Sequence, residues 1–336
     1  MSTEYAQIAK QIFTKSSRLR DQRIYNNKVH SLGWSADGSK LGTGSSDRAI
    51  NIFYLDNYSL TKGSTIRGHS NAVDQLRWHP TDSHIFSTTG ADGSVRLWDT
   101  RTSNKSIGLL QGKGENINLA WSPDGNTLAV GNKEDLVSWL DVRKGLEALH
   151  VEQFKCEINE FSWNNEGDYF VLTTGLGTLY FYSFPNLKRE YTLKAHAVNV
   201  LCLQFDPTGK HFALGSADAV VSIWDISETA CIGTLSRLEW PLRTVGFSYD
   251  GRMIASGSED HFIDIAEVET GNQIYKLNTN SAAFTLAWHP KEYLLAFSSD
   301  DKTNERDRDQ GSVKMFGVNQ STDSLLPSAY KFDVSV

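Results

Sequence analysis

The stretch GHSNAVDQLRWHPTDSHIFSTTGADGSVRLWD, residues 68–99, decides the fold of this chain. Its segment VDQLRW (73–78) has the mixed apolar and polar pattern of a strand with one buried face. The turn residues of WHPTD (78–82) follow, and HIFSTTG and VRLWD then predict two further strands. The stretch therefore predicts an antiparallel sheet that starts with an anchor aromatic, Trp78, and whose third strand carries a Trp-Asp pair at Trp98.

The anchor and its polar turn recur seven times along the 336 residues. Successive anchors lie 41 to 44 residues apart, at Trp34, Trp78, Trp121, Trp163, Phe205, Phe247 and Trp288. A period of roughly 40–45 residues with Gly-His and Trp-Asp signals is typical of a WD40 β-propeller. One four-stranded sheet cannot bury both of its faces, whereas seven sheets around an axis can. The predicted fold is all-β, a seven-bladed WD40 β-propeller.

The ends of the chain suggest how the ring closes. The third strand of unit seven ends near Phe316, and the segment around Lys15–Tyr25 stands where a fourth strand would precede unit one. We therefore expect the N-terminal strand to pair with blade seven. The expected organisation is an N-terminal arm at 1–14, the propeller at 15–318 and a C-terminal tail at 319–336. The basic residues of the N-terminal segment are expected to protect an edge strand, with a weak RNA contact as the alternative.

Composition narrows the functional classes. The net charge of −7 and the pI of about 5.7 give the chain no overall attraction for phosphate backbones. The three cysteines show no CxxC pair, which favours buried free thiols in a reducing compartment. No stretch has the ~18 apolar residues of a membrane span, so we expect no membrane association. These features leave nucleus and cytoplasm equally open.

Two units contain a histidine, an aspartate and a tryptophan at matching offsets. The sets are His69–Asp92–Trp98 and His196–Asp218–Trp224, and Thr89 is a candidate hydroxyl for the first. Such residues also form hydrolase triads, but these spacings resemble the buried hydrogen-bond sets of WD40 blades. There the aspartate holds the histidine and the histidine holds the indole. We therefore expect structural sets and no enzyme activity.

Other chemistry finds little support in the sequence. The histidines are scattered without an HxH or HExxH pattern, and GKGEN (112–116) lacks the rest of a phosphate-binding loop. We expect no catalytic residue, no metal and no cofactor.

The loops leading into each unit and those joining its second and third strands open on one face of a propeller. Trp240, within SRLEWPLR, is the one tryptophan in a loop, and its surroundings have the composition of an interface hot spot. An inward position that caps the blade edge is the alternative. The candidate partner-binding residues on this face are Trp240, Glu239, Arg243, Lys113, Glu115, Lys133, Glu259 and His261. The charged run at 300–310 is either a solvated loop or an addition to this surface.

Several stretches go beyond the general repeat. They include GENIN (114–118), INEFSWNN (158–165), RLEWPLRT (237–244) and AWHPKEYLLAF (287–297). The most specific is SEDHFIDIAEVETG (258–271), where Ala266 and Glu267 replace the Trp-Asp pair. Together these stretches resemble the family of the third, WD40-type subunit of the THO complex, from about residue 17 to 317.

This resemblance implies a non-catalytic scaffold in the nucleus, within the transcription–export (TREX) assembly. Such a subunit helps to couple transcription to mRNA packaging, processing, transport and export. The implied partners are the other THO complex subunits and, indirectly through them, a DEAD-box RNA helicase and an mRNA export adaptor. RNA contact would then be weak or indirect. The resemblance carries no binding residue over, and it ends before the C-terminal tail.

Two alternatives remain open at this point. WDTR (98–101) and LDVR (140–143) match a pattern by which some WD40 substrate receptors join a cullin–RING ubiquitin ligase, although each arginine can simply pair with its neighbouring aspartate. A reader of histone tails or other peptides would use the mouth of the central channel. For that role the loops supply mainly Trp240, Glu239 and Glu259.

Overall fold

The protein forms seven antiparallel four-stranded sheets in a computed structural model that describes residues 4–23, 27–102, 105–112, 114–300 and 311–318. Six of these blades are built from consecutive strands. Blade one contains β2 Val29–Trp34, β3 Lys40–Ser45, β4 Ala49–Asp56 and β5 Ser59–Arg67, and blade two contains β6 Val73–Trp78, β7 Ile85–Gly90, β8 Ser94–Asp99 and β9 Gly108–Gln111. Blade three contains β10 Asn116–Trp121, β11 Thr127–Asn132, β12 Leu136–Asp141 and β13 Glu147–Gln153, and blade four contains β14 Ile158–Trp163, β15 Tyr169–Thr174, β16 Thr178–Ser183 and β17 Lys188–Lys194. Blade five contains β18 Val200–Phe205, β19 His211–Ser216, β20 Val221–Asp225 and β21 Ala230–Leu235, and blade six contains β22 Thr244–Phe247, β23 Met253–Gly257, β24 Phe262–Glu267 and β25 Gln273–Asn278. The predicted fold class is confirmed.

Blade seven combines both ends of the chain. It contains β26 Ala283–Trp288, β27 Leu294–Asp300 and β28 Gly311–Val318, and β1 Ser17–Arg23 is its fourth strand. β1 pairs antiparallel with β28, from Ser17 opposite Val318 to Arg23 opposite Ser312. The charged run at 301–310 and the expected tail at 319–336 lie outside the described residues.

The anchor tryptophans join neighbouring blades. The indole Nε1 of Trp78 donates to the backbone carbonyl of Gly33 at 2.8 Å, and Trp121 donates to that of Arg77 at 3.2 Å. Trp288 reaches Gly246 at 3.1 Å, and Trp34 reaches Ala287 of blade seven at 3.2 Å. In each case the accepting carbonyl belongs to the residue immediately before the anchor aromatic of the preceding blade. The repeat therefore sets a hydrogen bond across these blade interfaces, including the one that joins blade seven to blade one.

A helix, which the sequence analysis did not predict, covers part of the expected N-terminal arm. α1 spans Glu4–Ser16 and packs between β25 and β28. Its buried residues are Tyr5, Ala6, Ala9, Ile12 and Phe13. Phe13 is fully buried, with its ring centroid 5.7 Å from that of Phe316 and 6.4 Å from that of Trp288. The spacing of these residues places them on one face of a helix, which explains why the arm folds against blades six and seven.

No helix in the described ranges has the length and apolar character needed to cross a membrane. The cysteines are free thiols as expected, but only Cys202 is buried. Cys156 is half-buried and Cys231 is exposed, so the expectation of three buried thiols was wrong. Cys231 is exposed because it lies on β21, the outermost strand of its blade.

A histidine after the anchor of blade seven provides a second link across the ring closure. His289 lies against Trp34, with ring centroids 4.9 Å apart, and its Nε2 lies 3.0 Å from the carbonyl oxygen of Gly38. Its Nδ1 accepts the backbone N–H of Lys291 at 3.1 Å, so the ring is neutral and Nε2 is the donor. Gly38 has φ +79°, and a Cβ there would lie 2.1 Å from His289 Nε2, so only glycine fits.

The Phe13→Ala variant tests whether α1 is part of the folded core. We expect a loss of roughly 3–5 kcal/mol in the free energy of unfolding, because a fully buried aromatic side chain is deleted. The matched control is Gln11→Ala, since Gln11 lies on the exposed side of the same helix. Equal denaturant midpoints for the two variants would show that α1 contributes little to stability.

The pH dependence of stability tests the His289 link. Burial lowers the pKa of His289 from 6.5 to about 4, so the unfolded chain binds this proton at a higher pH than the folded protein. Stability contributed by neutral His289 is therefore complete above pH 6.5 and is lost as the pH falls towards 4, with about 2 kcal/mol lost by pH 5. His289→Gln keeps a terminal N–H donor but does not titrate.

Urea unfolding of both proteins at pH 7 and at pH 5 provides the measurement. Wild type should lose about 2 kcal/mol more than His289→Gln over this range. His261→Gln, a change at an exposed histidine, should follow wild type. Parallel losses in wild type and His289→Gln would contradict the assignment.

Candidate protein-binding surface

The loops that lead into the blades meet the loops between second and third strands on one face, here termed the loop face. Backbone hydrogen bonds tie the two kinds of loop together, as from Lys133 N–H to Glu115 O at 3.0 Å and from Gly175 N–H to Glu157 O at 2.8 Å. The candidate residues within the described ranges all lie on this face. Lys113 lies outside them.

The loop into blade six is held by a carboxylate and presents Trp240 to solvent. Asp260 Oδ2 accepts the backbone N–H groups of Glu239 at 2.9 Å and Trp240 at 3.1 Å. Burial alone would raise the pKa of Asp260, but bonds from Ser258 and from these two amides hold it below its usual value. The Trp240 side chain is 55% exposed, so it does not cap the blade edge. An ionised carboxylate thus fixes the backbone below an exposed indole.

Leu238 takes the place of the histidine in this loop. It lies nine residues before its anchor, as His69 and His196 do, and it is buried. Blade six therefore has no histidine for its aspartate to hold. Asp260 binds the loop backbone instead, which leaves the following residues, Glu239 and Trp240, exposed.

Arg237 belongs to the stretch SRLEWPLR around Trp240, but its side chain points into the blade. Its Nε donates to both oxygens of Asp264 at 3.0 and 2.9 Å, and its Nη1 donates to the carbonyl of Gly271 at 2.9 Å. Asp264 is buried and also accepts Gln273 Nε2 at 2.6 Å. Arg237 therefore anchors the loop to β24 and to the turn before β25, joining the stretches RLEWPLRT and SEDHFIDIAEVETG.

The remaining charges on the loop face are largely paired. Arg243 Nη2 lies 2.7 Å from Glu259 Oε1, and Lys133 forms an ion pair with Glu115. His261 is exposed next to Phe262, whose ring lies 3.9 Å from Lys276 Nζ. Exposed pairs of this kind add about 0–1 kcal/mol to stability. Around Trp240 the surface is mixed in charge and centred on one aromatic side chain.

The two His–Asp–Trp sets are linked through a hydroxyl. His69 Nδ1 lies 3.1 Å from Asp92 Oδ1, and His69 Nε2 lies 2.7 Å from Thr88 Oγ1, which accepts the Trp98 indole N–H at 2.8 Å. In blade five, His196 lies 3.2 Å from Asp218 and 2.7 Å from Ser222 Oγ, and Trp224 donates to the same oxygen at 2.7 Å. The expected direct bond from histidine to indole was wrong, because a hydroxyl stands between them.

The linking hydroxyl in blade two is Thr88, and the choice of Thr89 was wrong. Phe86 pairs with Trp98 across β7 and β8, and side chains two residues apart share a face. Thr88 is therefore on the Trp98 side, whereas Thr89 Oγ1 is buried without a hydrogen-bond partner. Burial lowers the pKa of His69, and Asp92 only partly offsets this. A buried neutral histidine between two fixed partners suits a structural role.

The arginines of WDTR and LDVR pair with their own aspartates. Arg101 Nη2 lies 2.7 Å from Asp99 Oδ2, and Arg143 Nε lies 3.2 Å from Asp141 Oδ1. The geometry thus matches simple side-chain pairing. Within the described residues, no group of three or more His, Cys, Asp or Glu side chains is arranged to hold a metal ion.

Thr88→Val and Thr89→Val form a matched pair that tests the hydroxyl link. Thr88→Val removes the shared acceptor of His69 and Trp98 and leaves a buried indole N–H unpaired, so we expect a loss of about 2–4 kcal/mol in unfolding free energy. Thr89→Val removes a buried hydroxyl that has no partner, so it should leave stability unchanged or raise it by up to about 1–3 kcal/mol. Chemical denaturation measures both, and an equal effect at the two positions would refute the assignment.

Several known proteins resemble this chain in sequence or in fold. The chain is 44% identical to THO complex subunit 3 of Arabidopsis thaliana, over 91% of this chain and 98% of that protein. It is 29% identical to the WD repeat-containing protein AAC3 of Dictyostelium discoideum, over 86% of this chain and 65% of that protein. Among solved structures, the Cps50 (Swd1) β-propeller domain of Myceliophteria thermophila matches with a TM-score of 0.76. It covers 89% of this chain and 99% of that domain at 17% identity, which supports the fold alone.

The family model described as the THOC3 beta-propeller domain matches residues 25–298. This range runs from the segment before blade one to β27 of blade seven, so it includes the Trp240 loop and its supports. The chain therefore belongs to the THOC3 beta-propeller family.

Proposed function

We propose that this chain is a non-catalytic scaffold subunit of a THO complex in the nucleus. It would bind other THO subunits and help to couple transcription to mRNA packaging, processing and export within TREX. A DEAD-box RNA helicase and an mRNA export adaptor would be reached through those subunits. Support comes from the 44% identity to a THO complex subunit, which extends over 98% of that protein.

The observation that carries the proposal is the rigid display of Trp240. Its backbone is fixed by Asp260, and its loop is anchored by the ion pair of half-buried Arg237 with buried Asp264. An aromatic side chain held in place before binding loses little conformational entropy on association. Tryptophan beside arginine is also the composition in which interface hot spots are enriched. A protein partner is therefore the occupant that this surface suits best.

We do not propose direct RNA binding as a main activity of this chain. The chain carries a net charge of −7, and Arg243 and Lys133 on the loop face are paired with glutamates. Phosphate binding needs unpaired cations that can release counterions. RNA contact is accordingly proposed to be weak or to occur through other subunits.

The cullin–RING receptor is the alternative function, and the geometry does not favour it. Arg101 and Arg143 are both held by the aspartate two residues before them. Because pairing with these aspartates already explains the two arginines, they give no separate support for binding to a ubiquitin-ligase adaptor.

Trp240→Ala tests the proposed surface. We expect recovery of the other THO subunits to fall at least about tenfold, because loss of a central aromatic hot spot costs roughly 2 kcal/mol or more of binding energy. The tagged full chain is isolated from RNase-treated nuclear extract, and its partners are quantified by mass spectrometry. The melting temperature should stay at the wild-type value, since the indole is exposed.

Leu176→Ala is the matched control, because Leu176 is 62% exposed on the loop face of blade four. It should recover the same partners as wild type. Undiminished recovery by Trp240→Ala would reject this surface while leaving THO membership intact. Failure of wild type to recover THO subunits would reject the function itself, and recovery of a cullin adaptor instead would support the alternative.

A further inference from the structure

The central channel contains a layer of polar side chains that the scaffold proposal does not use. The residue three positions before the anchor bears an oxygen, nitrogen or sulfur atom in all seven blades. These residues are Ser31, Gln75, Asn118, Glu160, Cys202, Thr244 and Thr285. Six of them line a cavity of about 180 Å³ on the propeller axis, together with Asp74 and Arg77. Apolar side chains can fill a propeller axis without any hydrogen bonds. Buried polar side chains at the same place need hydrogen-bond partners.

Most charges around this cavity already have partners. Arg77 Nη2 lies 4.0 Å from Glu160 Oε2, and the Gln75 side chain also hydrogen-bonds to Glu160. Arg243 is paired with Glu259 at the rim. Burial raises the pKa of Glu160 against the opposing effects of Arg77, the Phe161 amide and Gln75. Glu160 thus has fixed partners in the channel wall, although they offset only part of the effect of burial.

Asp74 differs from these groups. Its Oδ2 is buried without a hydrogen-bond partner, and none of the ion pairs among the described residues includes it. Burial raises the pKa of Asp74 to about 6, an effect that Lys133 opposes and that Glu115 and Asp92 reinforce. At neutral pH the channel therefore holds a carboxylate whose negative charge has no close counterion.

Two further acceptors line the same cavity without partners. They are Gln75 Oε1, in a residue that is 9% exposed, and Ser31 Oγ, in a residue that is 4% exposed. Ser31 and Gln75 occupy equivalent positions in neighbouring inner strands, β2 and β6, and Asp74 precedes Gln75. Leaving such buried oxygens unpaired costs about 1–3 kcal/mol each. A ligand that donates hydrogen bonds would remove this cost.

We propose that the central channel binds the side-chain ammonium of a lysine from a partner protein. An ammonium has three N–H donors, no acceptor and one positive charge, which matches three unpartnered oxygens and one uncompensated carboxylate. Water would satisfy the oxygens but not the charge. The lysine enters from the loop face, because Asp74 stands near that end of β6 and the loop-face residues Lys133 and Glu115 act on it. The four-carbon stem of lysine suits a narrow channel.

Fluorescence polarisation with peptide pools provides the test, using the full chain at physiological ionic strength. The probes are degenerate heptapeptides with a central lysine, the same pool with Nε-acetyl-lysine, and a pool with arginine. Wild type should bind the lysine pool at least about tenfold more tightly than the acetylated pool, since acetylation removes the charge. Asp74→Asn should lower lysine binding to the level of the acetylated pool.

The melting temperature of Asp74→Asn shows whether a loss of lysine binding in this variant is caused by a loss of folding. Because the substitution removes a half-buried charge that has no ion-pair partner, the melting temperature of this variant should equal or exceed that of wild type. Ser31→Ala should weaken lysine binding about threefold, and Glu166→Gln, a charge change at an exposed residue of the turn between β14 and β15, should leave it unchanged.

Equal binding of lysine and acetyl-lysine pools by wild type would overturn the proposal, as would lysine binding that survives in Asp74→Asn. Tighter binding of the arginine pool would contradict the assignment to an ammonium. Competition by free n-butylammonium as effective as that of the lysine peptides would assign the site to small amines and reject a protein ligand. None of these outcomes depends on whether THO subunits are recovered in the pull-down.

Discussion

The hydrogen bond from an anchor indole to the preceding blade is the constraint on which the ring depends. A four-stranded sheet has two faces to cover, and each blade covers one face of the next only if the stacking register is fixed. Trp78, Trp121 and Trp288 fix it by donating to the carbonyl one residue before the preceding anchor position. Trp34 makes the same bond to Ala287, so the join between the chain ends follows the rule of the interior joins. His289 adds a second bond at that join, to Gly38.

Blades four to six achieve the same register by other means. Trp163 Nε1 is buried without a hydrogen-bond partner, and Phe205 and Phe247 have no donor to offer. Side-chain amides form the bonds between these blades. Asn118 of blade three donates to Asn159 O of blade four at 2.8 Å, and Asn159 donates to Val200 O of blade five at 3.0 Å. Between blades five and six, the backbone N–H of Leu242 reaches Ser216 O at 3.1 Å. Aromatic packing adds to this, since the ring centroids of Trp139 in blade three and Phe170 in blade four are 5.1 Å apart. These blade interfaces are therefore also hydrogen-bonded, although the residues that form the bonds differ.

The repeat made the fold predictable, but single side-chain directions were harder to infer. Seven anchors at a constant spacing specify strands, turns and ring size together. α1 was missed because a single short amphipathic helix does not repeat, although the spacing of Tyr5, Ala9, Ile12 and Phe13 carried the signal. Thr88 could have been preferred to Thr89 by counting two residues on from Phe86. The inward direction of Arg237 could not be read in this way, since its buried partner Asp264 lies on a strand whose register only the structure shows.

Asp74, which is half-buried in the channel, contrasts with three fully buried carboxylates elsewhere in the fold. Asp264 is compensated by Arg237 and Gln273, and Asp206 lies 3.0 Å from His211 Nδ1. Asp250 accepts Tyr293 Oη at 2.6 Å and lies 3.8 Å from Arg252 Nε. In each case the cost of removing a charge from water is offset by neighbours in the fold. Asp74 has no ion-pair partner among the described residues, and Lys133 opposes only part of the effect of burial, so the ionised form of Asp74 lowers the stability of the isolated propeller. The Asp74 carboxylate lowers the stability of the fold and takes part in no structural ion pair. A ligand that supplies the missing positive charge is the best explanation for it.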